Sequence, residues 1–200
     1  MNKLLHTILP VAFLPASLQA APYFMPVDRI KEPALEHYSV CYDHSCTTVV
    51  TDALSQAEWD MATQPLKNPS TTAAGERLAI ARAIAMFEEI VGRHTGTYRD
   101  KGRNLRGFGQ PGQLDCIDES TNTTTYLRLL ERGGLLHHHR VLEPSTRFGL
   151  FIGMPHTTAV IEDTGTGDRY AVDSWFRDNG QPPYIARLEI WKAGGEPRDE

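Results

Sequence analysis

The chain has few cysteines, no concentration of positive charge and no long apolar run, and each shortage narrows the field. Three cysteines in 200 residues cannot all pair within one chain, so at least one thiol is left over. A formal net charge of −5, with no run of Lys or Arg, removes the electrostatic basis for expecting nucleic acid as a partner. The apolar stretch Leu4 to Leu14 is broken by His6, Thr7 and Pro10 and is too short for a stable membrane span. Neither an internal repeat nor a low-complexity segment is present, and 200 residues suit one domain with a sizeable core.

What that first stretch does resemble is an export signal. Lys3 supplies the charged start, Leu4 to Leu14 the apolar centre, and Ala16 to Ala21 the small residues suited to cleavage. Residues 1–20 are therefore read as a signal peptide and the mature chain as periplasmic or secreted. No cysteine lies near the cleavage zone to carry a lipid anchor. In an oxidising compartment disulfides persist. Cys41 and Cys46 lie in Tyr38 to Val50, which reads as a hairpin with Asp43-His44-Ser45 at its tip, so their sulfurs could face each other across it. Cys116 is then the cysteine left over, either an intermolecular partner or a reactive thiol.

Taken in order, residues 21–75 form an N-terminal extension holding that hairpin, and residues 76–200 form the core. Ser55-Gln-Ala-Glu58 has the spacing of a capping box and opens a short helix. From Glu76 to Arg93, Leu78, Ile80, Ala81, Ile84, Phe87, Ile90 and Val91 recur at helical spacing. Gly92 to Gly112 is a polar, glycine-rich loop, either a flap or a long surface connection. A second helix is expected from Cys116 to about Arg132, closed by Gly133-Gly134. Its Thr/Asn-rich middle, Ser120 to Thr125, is poor helix material, so tertiary contacts must hold it. Strands are expected at His137 to Leu142, Phe148 to Ile152, His156 to Glu162, Asp168 to Trp175 and Tyr184 to Trp191, the third and fourth joined by a turn at Gly165-Thr-Gly167. Helices followed by an antiparallel sheet make the class α+β.

Cys116 stands where a Gly/Pro-rich loop becomes a helix. At such a point, unpaired N–H groups and the positive end of the macrodipole favour thiolate and can hold a developing oxyanion. The hairpin brings His156 and Asp173 to one open end. Asp173 would then fix the His156 tautomer and leave the other ring nitrogen for the Cys116 thiol. Each residue alone has a plainer explanation: a packed cysteine, a strand-end histidine, an aspartate at a turn. Their joint placement favours a Cys-His-Asp triad. Gln110 and Gln113 are candidate second oxyanion donors beside the Cys116 N–H, or simply solvated loop side chains. Asp115, Asp118 and Glu119 crowd the thiol with negative charge that should raise its pKa. Helix capping and pairing with Arg103 or Arg106 account for them best, with a cation such as Ca²⁺ the remaining option. His137-His138-His139 alternates faces on a strand, so only His137 and His139 could share an ion. With no further ligand motif nearby, no metal is expected there.

Asp115-Cys-Ile-Asp118, Tyr126-Leu127, Leu129-Leu130, Gly133-Gly134, His156-Thr-Thr-Ala-Val160 and Tyr170-Ala-Val-Asp173 together resemble the bacterial transglutaminase-like cysteine proteinases, within the transglutaminase-like, papain-related superfamily. The resemblance covers about Glu76 to Trp175. It implies a transglutaminase-like (papain-like) core, with the nucleophile at a helix N-terminus and helices packed on an antiparallel sheet. The catalytic residues would fall on Cys116, His156 and Asp173, and the substrate would be a peptide or protein in the cell envelope. It implies no obligatory cofactor, although some members use calcium. Ile117 stands where adhesin-cleaving members have an acidic residue, and Ser120-Thr121 and Ser174-Trp175 replace their usual pairs. The expectation is an exported cysteine hydrolase, a peptidase or amidase working through a thioester. The alternatives are an acyl transferase on the same triad and a catalytically inactive periplasmic binding or assembly module.

Overall fold

A computed structural model describes residues 29–104, 107, 109–148 and 155–198. The signal-peptide reading of residues 1–20 lies outside them, as does part of the expected strand Phe148 to Ile152. The chain runs β1 (Tyr38–Tyr42), β2 (Thr48–Asp52), α1 (Gln56–Ala62), α2 (Ala73–Thr95), α3 (Cys116–Arg132), β3 (His139–Phe148), β4 (Pro155–Asp163), β5 (Arg169–Asp173), β6 (Tyr184–Arg187) and α4 (Leu188–Lys192). β1 and β2 form a hairpin, and the other strands form an antiparallel sheet in the order β3-β4-β5-β6. The class is α+β. No described helix is long and apolar enough to cross a membrane.

Local chemistry explains the helix boundaries. Ser55 caps α1 with both halves of the capping box. Thr72 accepts the Gly75 N–H at the start of α2, three residues earlier than the apolar periodicity predicts, and Gly96 ends it in the left-handed region at φ 86°. The buried face of α2 meets α3 and the sheet in one core. Phe87 stacks on Tyr126 at 5.1 Å, and Tyr38, Val40 and Leu54 from the N-terminal extension pack into the same cluster as Ile161 and Val172.

Three expectations need correcting. The two strands predicted between His137 and Ile152 are, over the described residues, one strand whose register slips between Leu142 and Ser145. Pro144 lies at the slip, where a residue without an N–H costs no ladder hydrogen bond. The predicted strand Tyr184 to Trp191 stops at Arg187 and becomes α4, because Leu188 and Trp191, three apart, are buried together. In the first hairpin Cys46 does not sit across from Cys41. Cys41 pairs with Val49, and Cys46 lies within the connecting turn, where it closes the disulfide.

The Thr/Asn-rich middle of α3 is held as its composition requires. Ser120 to Thr125 are all buried. Asn122 accepts from Cys41 N at 2.8 Å and donates to Cys41 O at 2.8 Å, and Thr123 Oγ1 meets Ser174 Oγ at 3.0 Å. The side chains that weaken the isolated helix are the ones that tie it to the hairpin and to the sheet.

Candidate functional site

The site is built around the first turn of α3. Asp115 is its N-cap, accepting from Ile117 N at 2.9 Å and Asp118 N at 3.0 Å, while the Asp118 carboxylate accepts from Asp115 N at 3.1 Å. This closed capping box uses the N–H groups of the second and third helical residues and not that of Cys116, the first. The same two carboxylates receive the tip of the hairpin. Asp43, His44, Ser45 and Cys46 all have φ between 54° and 65°, a run of left-handed residues with no glycine. That geometry turns successive N–H groups to one side. His44 N and Cys46 N donate to Asp118 at 2.8 and 2.7 Å, and Ser45 N donates to Asp115 at 2.8 Å. The Cys41–Cys46 disulfide closes this turn and packs with Ile117 and Cys116. Capping by Asp115 and Asp118 is thus as expected, and Arg103 donates to Glu196.

The sheet supplies the other half. Continuing the β4–β5 register puts Thr158 opposite Asp173, so His156, two residues along, lies on the same face. Its Nε2 meets Asp173 Oδ2 at 2.7 Å. An ionised carboxylate only accepts, so that nitrogen carries the proton and Nδ1 is left as the acceptor. The imidazole is walled by Trp175 at 4.8 Å, Phe176 at 5.4 Å and Trp191 at 5.5 Å between ring centroids. Asp173 is buried and also accepts from Trp191 Nε1 at 2.7 Å.

Cys116 is a free, half-buried thiol. Its sulfur lies 4.0 Å from the carbonyl oxygen of Pro155, the residue before His156. The structure therefore joins His156 to Asp173 directly and places Cys116 at the start of β4, beside that pair. Burial pushes the thiol up to about 12. The Thr157 backbone N–H works against the rise, and the charges of Asp115 and Asp173 add to it. A thiol in that state reacts only when a base takes its proton during the attack.

The oxyanion candidates differ from one another. Gln113 is buried and ties loop to loop, donating from Nε2 to Arg99 O at 2.8 Å and accepting at Oε1 from Asn104. Gln110 is exposed in the turn that precedes it. The histidine run has a structural occupation. Buried Glu76, in the first turn of α2, accepts from His137 N at 2.8 Å, from His138 N and from His139 Nδ1 at 2.8 Å. Among the described residues, one group of possible metal ligands lies within 4.8 Å, namely Cys41, Cys46 and Asp118, and its two sulfurs are already joined in the disulfide.

One turn along α3 from Cys116, Glu119 is buried close to Glu88 and Asp100. Asp100 accepts from Leu114 N at 2.7 Å and shares a hydrogen bond with Glu119. Glu88 accepts from Gly180 N at 3.1 Å through Oε2, and the Ser174 side chain is a second, looser partner of the carboxyl. Burial pushes Glu88 up to about 7, Asp100 up to about 6 and Glu119 well above the carboxylate range. A groove lined by Tyr42, Tyr98, Arg99 and Pro111 runs beside the hairpin and includes none of Cys116, His156 and Asp173.

Sequence reasoning missed Trp191, Asn122 and Glu76. Only Glu76 left a signal, as an acidic residue in the first turn of a strongly periodic helix. No protein family, curated protein or solved structure matches the chain.

Proposed function

We propose that the protein is an exported cysteine hydrolase, a peptidase or amidase of transglutaminase-like fold acting on a peptide or protein of the cell envelope. Export is supported by the Cys41–Cys46 disulfide, which persists in an oxidising compartment. The observation that carries the chemistry is the His156–Asp173 pair at 2.7 Å, set on the strand whose first residue lies against the Cys116 sulfur. Attack begins with His156 Nδ1 taking the thiol proton as sulfur adds to the amide carbonyl. The tetrahedral oxyanion then sits at the start of α3, where the Cys116 N–H is the nearest donor. The C–N bond breaks, and the leaving amine takes the proton from His156. Water, deprotonated by the same imidazole, next cleaves the thioester, releasing the acid and restoring the thiol. Asp173 holds the imidazolium in place through both steps.

Because burial raises the thiol, the reading makes His156 a general base, not half of a resting ion pair. The test is the iodoacetamide alkylation rate of Cys116 against pH, read by mass spectrometry, in wild type and His156→Ala. Near pH 7 the wild type should react on the order of 100-fold faster than the variant. Equal slow rates in both proteins would leave the inert binding or assembly module, which the raised thiol favours. An added amine that appears in product would assign acyl transfer in place of hydrolysis.

A further inference from the structure

The residue that completes the sheet side of the site comes from the far end of the chain. Trp191, in α4, is fully buried, and its indole Nε1–H donates to Asp173 Oδ2 at 2.7 Å. His156 Nε2 meets the same oxygen at the same distance. Two donors on one carboxylate oxygen do what a single donor cannot. The terminal torsion of an aspartate is soft, so one hydrogen bond leaves the carboxylate free to pivot about it. A second bond from another direction fixes the plane, and with it the line along which the imidazole is held. Indole is a donor only, so Trp191 always presents the carboxylate as acceptor and never competes for the proton that His156 donates.

The indole is itself held in place. Arg147, opposite His156 in the β3–β4 register, lies with its guanidinium 4.5 Å over the Trp191 ring. It donates through NH1 to Trp191 O and, at 3.0 Å, to Gly195 O, fastening the turn that carries the ring. Filling space does not by itself account for the indole, although Trp191 is the largest side chain of its cluster. The ring packs with Leu188, Phe176, Val160 and Ala171, contacts that a plain hydrocarbon ring would also make, whereas the N–H on Asp173 is particular to indole.

We propose that Trp191 is a positioning residue of the triad: its indole N–H fixes the Asp173 carboxylate so that His156 holds its proton on Nε2 and turns Nδ1 to Cys116, with Arg147 holding the indole. The proposal rests on the Cys116–His156–Asp173 reading. It makes the last helix part of the site, so the chain up to β5 holds every triad residue yet lacks the group that aligns them.

Trp191→Phe keeps the ring and removes the donor. In that variant, Cys116 alkylation near pH 7 should fall about tenfold, the loss of one hydrogen bond to a charged group, and the acid limb of its pH profile should move. The ¹⁵N shifts of the His156 ring should change from the Nε2–H tautomer to a mixture, which a loss of packing alone would not produce. A second measurement does not need the variant to fold. The Trp191 indole proton should resonate downfield in the wild type and move upfield in Asp173→Asn. An alkylation profile and tautomer in Trp191→Phe that overlay the wild type overturn the proposal, as does an indole resonance indifferent to Asp173→Asn. If wild-type alkylation is itself indifferent to His156→Ala, the triad reading fails and takes this proposal with it, an outcome distinguishable because the indole shift still reports the bond to Asp173.

Discussion

Two groups of carboxylates flank the first turns of α3, and they meet opposite surroundings. On the hairpin side, Asp115 and Asp118 receive N–H groups from their own helix and from the left-handed turn of His44, Ser45 and Cys46. On the core side, Glu119, Glu88 and Asp100 lie close enough to repel one another, with Leu114 N on Asp100 and Gly180 N on Glu88. Both groups are short of water, and burial raises Asp118 to about 7 much as it does Glu88. What separates them is the neighbour each meets, the N–H groups of the hairpin turn on one side and further carboxyls on the other. The N–H groups fix where Asp118 points, and burial beside another carboxylate raises it as it raises Glu88. The thiol lies between a rigid clamp and a proton-binding cluster. The abundance of acid around Cys116 therefore says less about its chemistry than the donors each acid meets.

Removing the clamp should have the largest effect. Asp118→Ala deletes half of the capping box and leaves the His44 and Cys46 N–H groups without their acceptor. The expected loss is about 3 kcal/mol of unfolding free energy, measured by urea denaturation. A loss within about 0.5 kcal/mol, the size of an ordinary surface substitution, would mean that the turn does not depend on α3. Reduction of the disulfide comes next. The bridge closes a very short loop at a sequence separation of 5. Its removal should lower stability by about 2 kcal/mol, in a Cys116→Ser background that prevents thiol exchange. Coincident urea midpoints with and without reductant would show that the hydrogen bonds to Asp115 and Asp118 hold the left-handed turn unaided.

The sheet half of the site was far more legible than the clamp. A helix beginning at Cys116 could be read because a Gly/Pro-rich loop ends just before it. The His156–Asp173 approach could be read because Gly165 and Gly167 fix a hairpin whose strands alternate in hydrophobicity. These signals are local. The left-handed run Asp43 to Cys46 has no such signature, since no glycine marks it and the carboxylates that receive its N–H groups lie 70 and 74 positions away. The buried Thr and Asn side chains of α3 announced only that something must hold them, not that Asn122 would bracket Cys41. Trp191 was read as the end of a strand because Leu188 to Lys192 is too short for periodicity to separate helix from strand. Its partner, Asp173, is not a neighbour in sequence.

The smallest expected effect sharpens the comparison from the core side. The Glu88 carboxyl is raised from 4.5 to about 7, by burial first, with the charge of Asp100 adding to it. The native state therefore binds that proton more tightly than the unfolded chain does. The stability it contributes is complete below pH 4.5 and is lost as the pH rises through about 7. Glu88→Gln keeps an acceptor for Gly180 N and removes the charge. It should leave stability at pH 4 unchanged and raise it at pH 8 on the order of 1 kcal/mol, because Glu119 and Asp100 remain to share the rest of the cost. Urea midpoints at the two pH values measure the difference. The opposite sign at pH 8 would mean that Glu88 is held as an anion by Gly180 N and Ser174, and that burial does not govern the core side of α3.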